Sequence, residues 1–76
     1  MDLEPNNIRT LNNRGYSYAR LNRFQEAIED YTLAIQLDPN NGHSYHNRGI
    51  LYEKLNQHEK AQTDLECAQR LNKIIT

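Results

Sequence analysis

The feature that most constrains this chain is an internal period of 34 residues. Laid over itself at that offset, the sequence puts Asn6-Asn7 on Asn40-Asn41, Asn13-Arg14-Gly15 on Asn47-Arg48-Gly49, Tyr18 on Tyr52 and Leu21-Asn22 on Leu55-Asn56. Ala27, Asp30, Ala34 and Leu37 fall on Ala61, Asp64, Ala68 and Leu71, which brings the identities to twelve in 34 aligned positions. A period in this range marks one supersecondary unit that cannot bury its apolar face alone and must stack on a neighbour.

Each copy reads as two helices. In the first copy a helix is predicted over 7–21, with Ile8, Leu11, Gly15 and Tyr18 spaced for one face. Asn22-Arg23 breaks it. A second helix follows over 24–37, where Phe24, Ala27, Ile28, Tyr31, Ala34 and Ile35 recur at helical spacing. Asp38-Pro39-Asn40-Asn41 reads as a turn, because proline restricts the residue before it and asparagine caps the next helix. The second copy repeats the pattern over about 42–55 and 58–72. No segment alternates with period two, so the fold class is all-α.

Gly15 and Gly49 stand at one place in both copies, where a helix interior loses about 1 kcal/mol relative to alanine. Close helix packing is the reason expected, and Ala27, Ala61, Ala34 and Ala68 serve the same end on the second helices. Arg14 and Arg48 precede those glycines, each with an aspartate sixteen residues downstream, Asp30 and Asp64. A charge at a helix contact has to be paired. The favoured reading is an Arg14–Asp30 and an Arg48–Asp64 ion pair; the rival is that both arginines run out to solvent.

Composition removes several functions. Nine basic against ten acidic side chains, a net charge of -1, argue against nucleic acid as a partner. One cysteine excludes an internal disulfide framework and a multi-cysteine zinc site. No apolar run approaches the roughly 20 residues of a membrane span, and no signal-peptide pattern opens the chain. The expectation is a cytoplasmic protein, with the nucleus as second compartment. His43 and His46 are three residues apart but lack a third ligand, so no metal and no cofactor is expected. Cys67 takes the place of Leu33, which suits a small half-buried apolar residue rather than a nucleophile. With no catalytic residue in view, the chain is not expected to be an enzyme.

These places resemble the tetratricopeptide repeat signature of a large residue, leucine-glycine, tyrosine, alanine, a phenylalanine-like residue and a closing proline. The first copy has Leu11, Arg14, Gly15, Tyr18, Ala27, Tyr31 and Pro39 there; the second has Tyr45, Arg48, Gly49, Tyr52, Ala61, Leu65 and Lys73. Arginine replaces the usual leucine twice, and Lys73 replaces the second proline. The resemblance implies antiparallel helix-turn-helix units stacked as a short right-handed solenoid of four helices. The implied division is a first repeat over 6–39, a capping second repeat over 40–73 and a tail over 74–76. Leu3-Glu4-Pro5 matches Leu37-Asp38-Pro39, so 1–5 reads as the end of a preceding repeat in a longer array.

In this family the first helices line a concave groove that holds a partner segment. By resemblance, the groove here takes Arg9, Asn12, Asn13, Tyr16 and Arg20 from the first copy. The second supplies His43, His46, Asn47, Ile50, Glu53 and Lys54. Arg9, Arg20 and Lys54 against Glu53 leave the groove at +2, which favours a protein or peptide partner bearing carboxylates. The competing reading is an assembly element. Gln62 and Gln69 replace Ile28 and Ile35, so the C-terminal face is polar, and a homo-oligomer would form through the open N-terminal repeat face.

Overall fold

The computed structural model describes residues 7–75, with side chains described through Asn72. The segment matched to a preceding repeat, Leu3-Glu4-Pro5, lies outside the described residues, as does Thr76. Four helices follow in order: α1 (Ile8–Arg20), α2 (Phe24–Leu37), α3 (Gly42–Lys54) and α4 (His58–Ile75). Each packs on the next, α1 on α2, α2 on α3 and α3 on α4. No strand occurs among the described residues. The architecture is a two-hairpin helical repeat solenoid.

The asparagines act as punctuation. Asn7 caps α1 by accepting from the Thr10 N–H at 3.2 Å, and Asn41 caps α3 by accepting from Ser44 N–H at 3.1 Å. Asn22 and Asn56 close α1 and α3 in the left-handed region, with φ of 62° and 63°. Asparagine tolerates that region better than most side chains, which explains the same residue in both copies. Between the hairpins the Asp38 carboxylate accepts from the Asn40 N–H at 3.1 Å, and Pro39 sets the turn.

One boundary differs from the sequence reading. The last helix runs through Ile75 instead of ending near Asn72. Pro39 follows α2 in the first copy; Lys73 holds that place in the second, and nothing there bars helical backbone.

The core lies between the hairpins. Ala27, Ile28 and Tyr31 of α2 meet Leu51 of α3, and Tyr18, Ala19, Phe24, Tyr52 and Leu55 pack around them. Ala27, Ala34, Ala61 and Ala68 are all buried, as close helix approach requires. A Cβ on Gly15 would lie 3.0 Å from the Tyr31 ring, and one on Gly49 would lie 2.9 Å from Leu65 Cγ. Both glycines therefore let a first helix seat against its partner.

Each hairpin is also tied by charge. Arg14 donates from Nε and Nη2 to the two Asp30 oxygens at 2.9 and 2.8 Å. Arg48 does the same to Asp64 at 2.7 and 2.9 Å, and its Nη1 donates to the Thr32 hydroxyl at 3.1 Å. Both carboxylates are buried, but the Arg14 side chain is 49% exposed and that of Arg48 only 17%. These hydrogen bonds and the carboxylate charge raise both guanidinium pKa values. No buried side-chain nitrogen or oxygen is left without a partner among the described residues.

Candidate functional site

A cleft of about 370 Å³ opens between the C-terminal halves of α1 and α3. Tyr31, reaching through from α2, forms its floor with Ala19 and Leu51. One wall carries Tyr16 and Arg20, and the other Asn47, Ile50 and Lys54. At the opposite end the two helices are pinned together, where the Ser44 hydroxyl donates to Asn12 Oδ1 at 2.9 Å.

The helical register explains the walls. Tyr16 and Arg20 are four residues apart on α1, as are Ile50 and Lys54 on α3, so each pair lies on one face. Tyr16 is 59% exposed and Ile50 39%, although neighbouring Leu51 is buried in the core. The Arg20 guanidinium stands 5.9 Å above the Tyr16 ring centroid, a cation–π contact that steadies it. The cleft thus pairs an apolar floor and two apolar wall residues with two cations, and no carboxylate lines it.

The structure redistributes the residues that the sequence grouped. Tyr16, Arg20, Asn47, Ile50 and Lys54 line one cleft. Asn13 is exposed on α1, one turn before Tyr16. Asn12 turns its amide oxygen to the Ser44 hydroxyl, from which it accepts. Glu53 is turned away: its carboxylate accepts from no cleft residue and instead meets His58 Nδ1 at 2.9 Å, on the outer face with Gln62 and Gln69. The reason is one step of helix rotation, about 100° from Lys54. Arg9, His43 and His46 are exposed toward the N-terminal ends of α1 and α3 and lie outside the cleft. The charge sum in the cleft is therefore +2 from Arg20 and Lys54 alone.

Sequence reading missed the floor. Tyr31 and Leu51 look like ordinary core residues, and their periodicity says only that they are buried. The Tyr31 hydroxyl is held above its ordinary pKa of 10.0, chiefly by burial, with the nearby Asp30 and Tyr16 adding. Among the described residues no three of His, Cys, Asp and Glu converge on a metal site, and no helix is long and apolar enough to cross a membrane. Cys67 is half-buried.

Two stacked helical hairpins with an open cleft along their first helices define a repeat-type protein-interaction scaffold. The chain belongs to the tetratricopeptide repeat family, whose models match residues 8–41 and 31–63. That family is a non-catalytic interaction repeat. A search of the curated proteins finds no match. Among solved structures, MamA MSR-1 is 29% identical with a TM-score of 0.90, over 96% of this chain and 42% of that one. A MamA AMB-1 structure is 30% identical with a TM-score of 0.88, over 92% of this chain and 38% of that one. A second MamA AMB-1 structure is 31% identical, with a TM-score of 0.86 over 90% and 40%. The chain spans less than half the length of each of these structures.

Proposed function

We propose that this chain is a non-catalytic binding module whose cleft between α1 and α3 holds a partner segment bearing carboxylates. The observation that carries the reading is the charge of that cleft: Arg20 and Lys54, one repeat apart, with no acidic side chain beside them. The whole chain carries -1, so the cleft is a basic patch on an otherwise acidic surface. Such a patch steers an acidic partner and disfavours a basic one. Asn47 adds an amide that both donates and accepts, which suits a partner's backbone. Neither a nucleic acid, a cofactor nor a membrane enters this reading.

The test is titration of the full chain with acidic and basic peptides, read by chemical shifts. Each exposed ion pair contributes about 0.5–1 kcal/mol, so Arg20→Ala with Lys54→Ala should weaken an acidic peptide about tenfold. Helicity should not change, and added salt should shrink the effect. Shifts confined to α2 and α4 would place the ligand elsewhere and remove the proposal.

A second reading, self-association through the N-terminal face, is favoured by the half-exposed Arg14. Its counterpart Arg48 is covered by Thr32 of the preceding hairpin, and Glu66 occupies the matching place on α4. Arg14 of one copy stacked on Glu66 of another would complete that contact. Sedimentation of Glu66→Arg against the unmodified chain decides it: association lost only in the variant supports stacking, and a strictly monomeric chain rejects it.

A further inference from the structure

The floor of the cleft carries a polar atom that its packing role does not need. The Tyr31 ring lies under Gly15, where an added Cβ would stand 3.0 Å from it, and Leu65 fills the matching place under Gly49 in the second hairpin. An aliphatic side chain therefore suffices at that contact, and the Tyr31 hydroxyl is surplus to it. Tyr31 is 2% exposed. Its hydroxyl makes no hydrogen bond among the described residues, yet no side-chain oxygen there is both sealed and without a partner. The hydroxyl consequently keeps contact with solvent, and the opening that Tyr31 lines is the cleft. A phenol both donates and accepts, and one held this deep without a partner is costly unless something meets it.

The surroundings of that hydroxyl are those of a small-molecule site. Ala19 and Leu51 flank it on the floor, and Tyr16 and Ile50 stand on the walls. Arg20 and Lys54 are the last residues of α1 and α3, so both cations gather at one end of the cleft. A volume of about 370 Å³ lies toward the lower end of the range for small ligands, and such sites combine apolar lining with a few convergent polar groups. Aromatic rings pair offset or edge-on, which suits an aryl ligand beside Tyr16.

We propose that the cleft is a site for a compact aryl carboxylic acid with a ring hydroxyl remote from its carboxylate: the ring lies between Tyr16 and Ile50, the carboxylate meets Arg20 and Lys54, and the ring hydroxyl bonds to Tyr31 Oη. Such a ligand needs only the cleft and no partner protein, so it stands apart from the segment-binding reading. Tyr31 is then the residue that sets specificity. An acid without the ring hydroxyl covers the phenol with an apolar body and leaves it unpaired, which penalises the wrong ligand more than it rewards the right one.

The test titrates the full chain with para-hydroxyphenylpropionate and with phenylpropionate, which lacks the ring hydroxyl, and follows the chemical shifts of Tyr16, Ile50 and Lys54. The hydroxy acid should bind about three- to tenfold more tightly. Tyr31→Phe keeps the ring under Gly15 and should erase that preference while leaving the affinity for phenylpropionate unchanged. Arg20→Ala with Lys54→Ala should weaken both acids. Equal binding of the two acids by the unmodified chain, or a preference that survives Tyr31→Phe, overturns the proposal. No cleft shift from either acid overturns it as well, and an acidic peptide that still shifts the cleft then leaves the segment-binding reading standing. Preferential binding of the hydroxy acid where no acidic peptide binds supports the proposal and removes that reading.

Discussion

The two hairpins are alike inside and unlike at their outer faces. Ala19, Phe24 and Ile28 of the first hairpin pack around Leu51 of the second. One repeat later the same places hold Glu53, His58 and Gln62, and they form an outer face where Glu53 meets His58 and Gln62 donates to Glu66. The other partner in that contact changes as well, since Leu51 is matched on α1 by the exposed Ser17. What persists between copies is what holds one hairpin together: the Arg–Asp pair, the glycine under it, the buried alanines and the left-handed asparagine. Identity at the repeat period reports the hairpin, and substitution at that period reports which faces meet another hairpin.

The strongest way to break the comparison is to make α3 resemble α1. Leu51 is 3% exposed, and Leu51→Ser removes its packing and leaves a hydroxyl in the core. The expected loss is about 3–5 kcal/mol, from a cavity plus an unpartnered polar group. Ser17→Ala, at the matching place, should change stability by less than about 0.5 kcal/mol. Urea unfolding of the two variants checks this, and similar losses would mean that both hairpins are held from outside.

The charged pairs give the next largest difference. Arg48→Ala leaves the buried Asp64 without its partner and frees Thr32, at an expected cost of about 3 kcal/mol. Arg14→Ala uncovers Asp30 to water, because Arg14 is itself half exposed, and should cost about 1 kcal/mol. A double-mutant cycle of Arg48→Ala with Asp64→Asn should show a coupling larger than the cycle at Arg14 and Asp30. Equal couplings would assign the burial of Arg48 no energetic weight.

Much of this was legible in the sequence, for a physical reason. The repeat places identical residues at Asn13, Arg14 and Gly15, and steric and charge requirements at a helix contact permit few alternatives there. The sixteen-residue step from Arg14 to Asp30 spans one antiparallel hairpin, so the pairing could be read from spacing. The cleft was legible only in part. Tyr16, Arg20, Ile50 and Lys54 share a helix face, which periodicity reports. That Asn12 turns to Ser44, and Glu53 to His58, depends on neighbours from other elements, which a one-dimensional pattern does not contain. The helix end was misread because Lys73 permits helix where a proline would have stopped it.

The outer face offers a smaller perturbation in the opposite direction. Gln62→Ile with Gln69→Ile rebuilds on α4 the apolar places of α2. Both glutamines are exposed, so folding stability should move by less than about 1 kcal/mol. The sedimentation coefficient should instead rise with concentration, since a paired apolar face seeks cover. A variant with an unchanged sedimentation coefficient would show that two apolar residues are not enough to make this face associate.

The smallest effect expected is in alkaline solution, where the repeats differ in one buried phenol. Tyr31 lies under the cleft at 2% exposure, and its counterpart in the second repeat is Leu65. Burial first, and then the charges of Asp30 and Tyr16, raise the Tyr31 pKa above 10.0. The unfolded chain releases this proton near pH 10, while the folded chain holds it. Above that pH the unfolded state binds fewer protons, so stability falls as pH rises and levels off beyond the folded pKa. The paired arginines do not produce this limb, because their pKa values lie higher still. Tyr45 of the second repeat is also raised, by burial first and then by Cys67, with Arg48 opposing and Asp64 adding, but it is less buried than Tyr31. Tyr31→Phe should therefore flatten the loss of stability above pH 10 more than Tyr45→Phe does. Thermal midpoints of both variants between pH 8 and pH 11 check the order, and an alkaline limb unchanged in Tyr31→Phe would remove the buried phenol as its source.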